Sequence, residues 1–136
     1  MNNAIVIIPT YNEQENITLI IDAIISLPKD FDILIVDDNS PDGTAEIVKD
    51  LQKNYNTPSA KRLHLMQRAG KLGLGTAYIE GFRYAMQHHY DFILEMDADF
   101  SHNPSDLIKL YNACAIDAVS YTHLRAHETG RNLVCR

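Results

Sequence analysis

Four short apolar runs recur along the chain, each followed by a polar cluster and then by a segment of helical period, and this alternation constrains the fold most. "AIVII" (residues 4–8) reads as a strand; Asn12, with Glu15 three residues on, gives a capping-box signal for a helix burying Ile17, Ile20, Ile21 and Ile24. "FDILIV" (31–36) is a second strand, after which Asp42 caps a helix with Ile47, Val48, Leu51 and Tyr55 on one side. "RLHLM" (62–66), interrupted by His64, is a third. Its helix carries Ala77, Tyr78, Gly81, Phe82, Ala85 and Met86. "FILEM" (92–96) is the fourth, and Asn103 with Pro104 opens a helix bearing Leu107, Leu110, Tyr111 and Cys114. Strands alternating with helices pair in parallel through right-handed crossovers, so the expected class is α/β with a parallel sheet covered on both faces.

In such sheets ligands bind where the strands' carboxyl ends open into loops. The polar clusters fall there: "PTYNE", "DDNSPDGT", "QRAGKLGLGTA" and "DADFSHNP" each follow a strand. A chain of 136 residues, 46% hydrophobic and 22% charged, makes one domain at most. Its formal charge of -6 argues against a nucleic-acid surface. Cys114 and Cys135 lack metal-ligand spacing, so reduced thiols in a cytosolic setting are expected. The first residues lack the cationic flank and apolar length of a signal peptide. "ITLIIDAIISL" contains Asp22 and falls short of the roughly 20 residues of a membrane span.

Asp97 and Asp99, one residue apart at a strand end, point to the same side if strand geometry persists, and their carboxylates can converge on one hard cation. The bland reading is a strand end and a helix cap. An EF-hand is excluded for this stretch, because its sixth position is His102 rather than Gly and its twelfth is Ile108 rather than Glu; "DNSPDG" starts better but reaches Lys49 at its twelfth. Adjacent Asp37 and Asp38 face opposite ways; Asp38 is the ligand candidate and Asp37 the loop holder. "GKLGLG" offers flexible backbone near a phosphate without matching a phosphate-binding fingerprint, and Arg68 and Lys71 are either diphosphate contacts or solvated charges. Glu95 is a polar residue within an apolar strand. His88 and His89 suit a helix end, and His102 serves either turn or substrate.

Taken together, "PTYNEQENI", "IVDDNSPDGTAEIV", "KLGLGTAYIEG" and "EMDADFSHNP", in this order, resemble the polyprenol-phosphate mannosyltransferases (dolichyl-phosphate mannose synthases) of glycosyltransferase family two, over about residues 4–116. The resemblance implies a GT-A fold, a truncated Rossmann-like sheet, with a GDP-mannose donor, a polyprenyl-phosphate acceptor and Mg²⁺ or Mn²⁺. It further implies a cytoplasmic protein, with the full-length enzyme peripherally associated with the cytosolic membrane face. It assigns donor contacts to Pro9, Tyr11, Glu13, Val36 and Asp38, the metal and diphosphate motif to Asp97, Ala98 and Asp99, and a further metal-shell position to Ser101. The acceptor, a phosphate monoester with a second pKa of about 6, is already largely anionic at neutral pH and needs no general base.

Residues 1–117 therefore read as the nucleotide-sugar-binding half of a GT-A domain. Residues 118–136, "AVSYTHLRAHETGRNLVCR", depart from the family pattern and read as a tail that is disordered or artefactual in origin, adding no native element to the sheet. Donor binding without turnover is expected of such a chain. Three alternatives differ in chemistry: a polyprenyl-phosphate glucosyltransferase, a phosphotransferase of haloacid-dehalogenase type in which Asp97 attacks phosphorus, and a non-catalytic nucleotide-sugar-binding module.

Overall fold

The computed structural model describes residues 3–70, 72–101, 103–124 and 133–135, with side chains up to residue 115. Its elements run β1 (Ala4–Thr10), α1 (Ile17–Ile25), β2 (Asp32–Asp37), α2 (Thr44–Tyr55), β3 (Leu63–Gln67), α3 (Leu74–Gln87), β4 (Phe92–Glu95), α4 (Asp106–Leu124) and β5 (Leu133–Cys135). The strands lie in the order β3-β2-β1-β4-β5, and every neighbouring pair is parallel. The α/β class and all four expected strands are present.

Side-chain alternation divides the core into two. Ala4, Val6 and Ile8 of β1, Ile33 and Ile35 of β2, and Leu94 of β4 pack with Ile17, Ile20, Ile21 and Ile24 of α1, Val48 of α2 and Leu107 of α4. The intervening residues Ile5, Ile7, Leu34, Val36 and Ile93 face the other way, onto Ala77 and Ala85 of α3 and onto Tyr90. Both faces are covered, which is why the strands are apolar at nearly every position instead of alternating with polar residues. Each fully buried isoleucine contributes about 1.5–3 kcal/mol relative to an exposed one. The helix α3 lies close to the sheet at Gly81, where an added Cβ would come within 2.6 Å of Ile7 Cγ2.

Several local expectations are corrected. Helix α1 starts at Ile17 with Asn16 at its N-cap, not at Asn12. Asn12 has φ 56, outside the conformation a cap residue adopts, and the Glu13 carbonyl instead accepts from the Asn16 and Ile17 amides in a preceding turn. The N-cap of α2 is Gly43, φ 88, while Asp42 one residue earlier receives the Thr44 amide (3.0 Å) and hydroxyl (2.5 Å). Asn103 does the same before α4, accepting the Ser105 amide at 3.0 Å, and the helix begins at Asp106. Helix α4 continues to Leu124 past the expected boundary at 117, and Leu133–Cys135 pairs with β4 from Phe92 to Leu94. Cys114 is disulfide-bonded where reduced thiols were expected, a pairing set by tertiary contact and not by spacing. Among the described residues no helix is long and apolar enough to cross a membrane.

Candidate active site

The strand order places β1 between β2 and β4, so the chain reverses direction of growth between β1 and β4. A ligand crevice is expected outside the carboxyl ends of strands at such a switch point. A groove of about 280 Å³ opens there, lined by Pro9, Thr10, Tyr11 and Glu13 after β1, Asp38 after β2, Gly73, Leu74 and Ala77 at the start of α3, and Asp97, Ala98 and Asp99 after β4. Three separate polar loops meet in it.

Parallel register explains how β4 reaches the groove. Ile7 is the partner of Glu95, and the Met96 amide still bonds to the Ile7 carbonyl at 3.1 Å, so the chain leaves the sheet beside Pro9. Ala98 is buried, turning toward the α1 and α4 side with Leu94 and Met96. Asp97 receives the Tyr78 hydroxyl on Oδ1 at 2.8 Å. The Asp99 Oδ1 accepts the Ser101 amide at 2.9 Å. Between them Phe100 has φ 61, an uncommon conformation for a bulky side chain that bends the loop immediately after Asp99.

The adjacent aspartates divide their work as alternation requires. Asp37, fully buried, accepts the Thr10 hydroxyl (2.7 Å), the Ser40 hydroxyl (2.6 Å) and the Ser40 amide (3.0 Å), tying the first two loops together. Asp38 faces the groove, but its carboxylate holds Arg68 in a two-pronged pair, Nε to Oδ1 at 2.5 Å and Nη2 to Oδ2 at 2.8 Å. Arg68 also donates to the Gly73 carbonyl (3.0 Å) and the Thr76 hydroxyl (2.9 Å), joining the second loop to α3. The hydrogen bonds from Arg68 to Asp38 raise the guanidinium pKa above its ordinary value against the opposing effect of burial.

Burial holds the Glu13 carboxyl above its ordinary range; a hydrogen bond from Asn16 works against this, and the charges of Asp99 and Asp42 push it further up. The groove therefore has a negative wall, formed by Glu13, Asp97 and Asp99. No group of three or more His, Cys, Asp or Glu side chains converges on one point among the described residues. Two carboxylates suit Mg²⁺ or Mn²⁺ nonetheless, since such hard ions take one or two carboxylates and complete their shell with phosphate oxygens and water.

Of the residues singled out from the sequence, Pro9, Tyr11, Glu13, Asp38, Asp97, Ala98 and Asp99 come together. Val36 does not line the groove, because its side chain is fully buried against α3. Arg68 is not available to a diphosphate as the sequence suggested: its side chain is 3% exposed and committed to Asp38. Ser101 is exposed beyond the groove. Lys71 and His102 lie outside the described residues. Glu95 lines a separate pocket with Tyr78, Asp97 and Asn103. Thr10, Gly73 and Leu74 were not singled out. Their only sequence signal was membership of the two loops.

The model of glycosyl transferase family 2 matches residues 5–132. The chain belongs to this family. It is 43% identical over 109 residues to the polyprenol monophosphomannose synthase of Mycolicibacterium smegmatis, covering 80% of this chain and 40% of that protein. It is also 43% identical over 107 residues to the undecaprenyl-phosphate mannosyltransferase of Micrococcus luteus, covering 79% of this chain and 42% of the relative. The chain thus spans about two fifths of the length of these relatives. Among solved structures, the mannosyltransferase PcManGT from Pyrobaculum calidifontis, in complex with GDP-Man and Mn²⁺, aligns with TM-score 0.66 at 24% identity, over 88% of this chain and 32% of that one. The fold is that of the GT-A glycosyltransferases.

Proposed function

We propose that this chain is the donor-binding part of a polyprenyl-phosphate mannosyltransferase, which moves mannose from GDP-mannose to a polyprenyl phosphate with inversion at the anomeric carbon. The reading rests on one observation above others: Glu13, Asp38, Asp97 and Asp99, from three loops, line one groove at the switch point of the sheet. The two relatives named above, a polyprenol monophosphomannose synthase and an undecaprenyl-phosphate mannosyltransferase, support the choice of sugar and acceptor.

In this reading Glu13 accepts from the ribose hydroxyls, and Pro9 and Tyr11 frame the nucleoside. Asp38, held by Arg68 and by the Leu72 amide at 3.3 Å, has a lone pair left for the base. The first turn of α3 faces the groove and carries no acidic residue, which suits an anion near its N-terminal amides. Asp97 and Asp99 would hold Mg²⁺ or Mn²⁺. When bound, the cation supplies positive charge that the wall of Glu13, Asp97 and Asp99 cannot, stabilising the diphosphate as it leaves. An oxygen of the acceptor phosphate attacks the anomeric carbon as the bond to GDP breaks. No proton has to be removed from the acceptor dianion, so no base is assigned. The residues of this chain account for donor binding, and none is assigned to the acceptor.

The test is calorimetric titration with GDP-mannose, with and without Mn²⁺, on the wild type and Asp99→Asn. Metal and nucleotide should bind interdependently, each supplying charge the other needs. Asp99→Asn should weaken metal-dependent affinity about tenfold, or about 1.4 kcal/mol. Equal affinity in all four titrations would end the metal reading, and tighter binding of UDP-glucose in the same assay would move the donor to a glucosyl nucleotide.

A further inference from the structure

We propose that Tyr78 is the positioning residue of the metal site, holding the Asp97 carboxylate in the orientation in which it would take the cation; this rests on the donor-groove reading above. Tyr78 touches neither nucleotide nor metal in this scheme and acts through Asp97.

The placement follows from the packing of α3 on the sheet. Ile93, like Ile5 and Ile7, turns toward α3, and strand alternation sends Glu95 and Asp97 to the same side. Gly81 brings α3 against Ile7, the register partner of Glu95. Tyr78 lies three residues before Gly81, on the same face of the helix and one turn nearer the groove. Asp97 lies two residues beyond Glu95, displaced in the same direction. The hydroxyl and the carboxylate therefore meet at 2.8 Å as a consequence of how closely helix and sheet approach. The ring is fixed independently, stacked on Phe82 with centroids 6.4 Å apart and planes at 27°.

A hydroxyl donating to one oxygen of a ligating carboxylate orients it and leaves the second oxygen for the metal. Partners of this kind usually matter 10–100-fold in metal affinity. Asp97 is the natural target for such support, because Asp99 is already oriented by the Ser101 amide at 2.9 Å. Each member of the pair thus has its own donor, one from helix α3 and one from the loop after β4.

Tyr78→Phe keeps the ring and its stack and removes only the hydroxyl. Mn²⁺ affinity would be read from the electron paramagnetic resonance of free Mn²⁺ at saturating GDP, GDP affinity from calorimetry without metal, and folding from the thermal midpoint. The expected result is a loss of about tenfold in Mn²⁺ affinity, with metal-free GDP affinity and the midpoint unchanged. Wild-type Mn²⁺ affinity in Tyr78→Phe overturns the inference and leaves the donor groove intact. A parallel fall in metal-free GDP affinity and midpoint overturns it too, assigning the hydroxyl to the fold. A wild-type chain that binds neither Mn²⁺ nor GDP removes the donor reading itself, and this inference with it.

Discussion

Replacing Arg68 with methionine keeps an unbranched apolar stem but deletes the guanidinium that Asp38 holds. The side chains of the pair are 3% and 9% exposed, so neither charge is well solvated. Thr76 loses one bond, but its single hydroxyl proton keeps the Leu72 and Gly73 carbonyls as acceptors, both at 2.9 Å, and is not left stranded. Asp38 fares worse, retaining of the bonds described above only the Leu72 amide at 3.3 Å. Breaking a buried pair from one side costs about 3–5 kcal/mol, mostly from the charge left behind. With a urea slope of about 1.5 kcal/mol per molar for a small domain, a loss of about 3 kcal/mol lowers the unfolding midpoint by roughly 2 M. Adding Asp38→Asn should recover much of it, since the stranded charge disappears. Chemical denaturation followed by circular dichroism, at pH 7 and fixed salt, measures all three proteins. A midpoint within about 0.5 M of wild type for Arg68→Met would refute the view that this pair is desolvated and structural.

Gly81→Ala should destabilise the domain by up to about 2 kcal/mol in thermal or urea unfolding, because overpacking against Ile7 costs about 1–3 kcal/mol while helix propensity returns about 1. At the other end of the sheet, burial holds the His64 imidazole below its ordinary pKa, against the opposing charge of Asp32, in a cluster with Tyr84 and Tyr90. The unfolded chain takes that proton first, so stability is whole above about pH 6.5 and falls as pH drops from there toward the folded value. Urea midpoints of wild type and His64→Gln, compared across that window, should differ in slope, with the variant flatter.

Much of the site was legible because strands have a period of two. That period separated Asp37 from Asp38, but it does not extend to Asp99: β4 ends at Glu95, and the turn at Ala98 and Asp99 brings Asp97 and Asp99 to the groove. It could not say that Asp38 would spend its carboxylate on Arg68, since those residues lie 30 apart and meet only because β2 and β3 are neighbours. Helix starts were misjudged for a related reason. Asn12 and Asp42 carry the right side chains for caps, but the backbone at Asn12 (φ 56) and Gly43 (φ 88) turns left-handed first and delays the helix. The order of strands, which makes β1 central, was likewise invisible, because alternation alone fits several sheet orders. Tyr78 was seen as a helix residue. Its link to Asp97 depends on the closeness of α3 to β1, which Gly81 sets.

The pairing of β1 with β4 joins the beginning of the chain to a segment synthesised much later, with two complete strand-helix units closed between them. Strands β1, β2 and β3 associate through one helical crossover each, whereas the β1–β4 junction closes over a longer stretch of chain and has the larger entropy of closure. The groove has Pro9 on one wall and Asp97 on another, so both walls come together only when β1 and β4 pair. Whatever occupies it bridges the first and fourth strands of the parallel sheet, and its binding depends on their pairing. Ligand affinity then becomes a gauge of whole-domain assembly, and an occupant at 100 times its dissociation constant would add about 2.7 kcal/mol to the global unfolding free energy while leaving local fraying elsewhere unaffected.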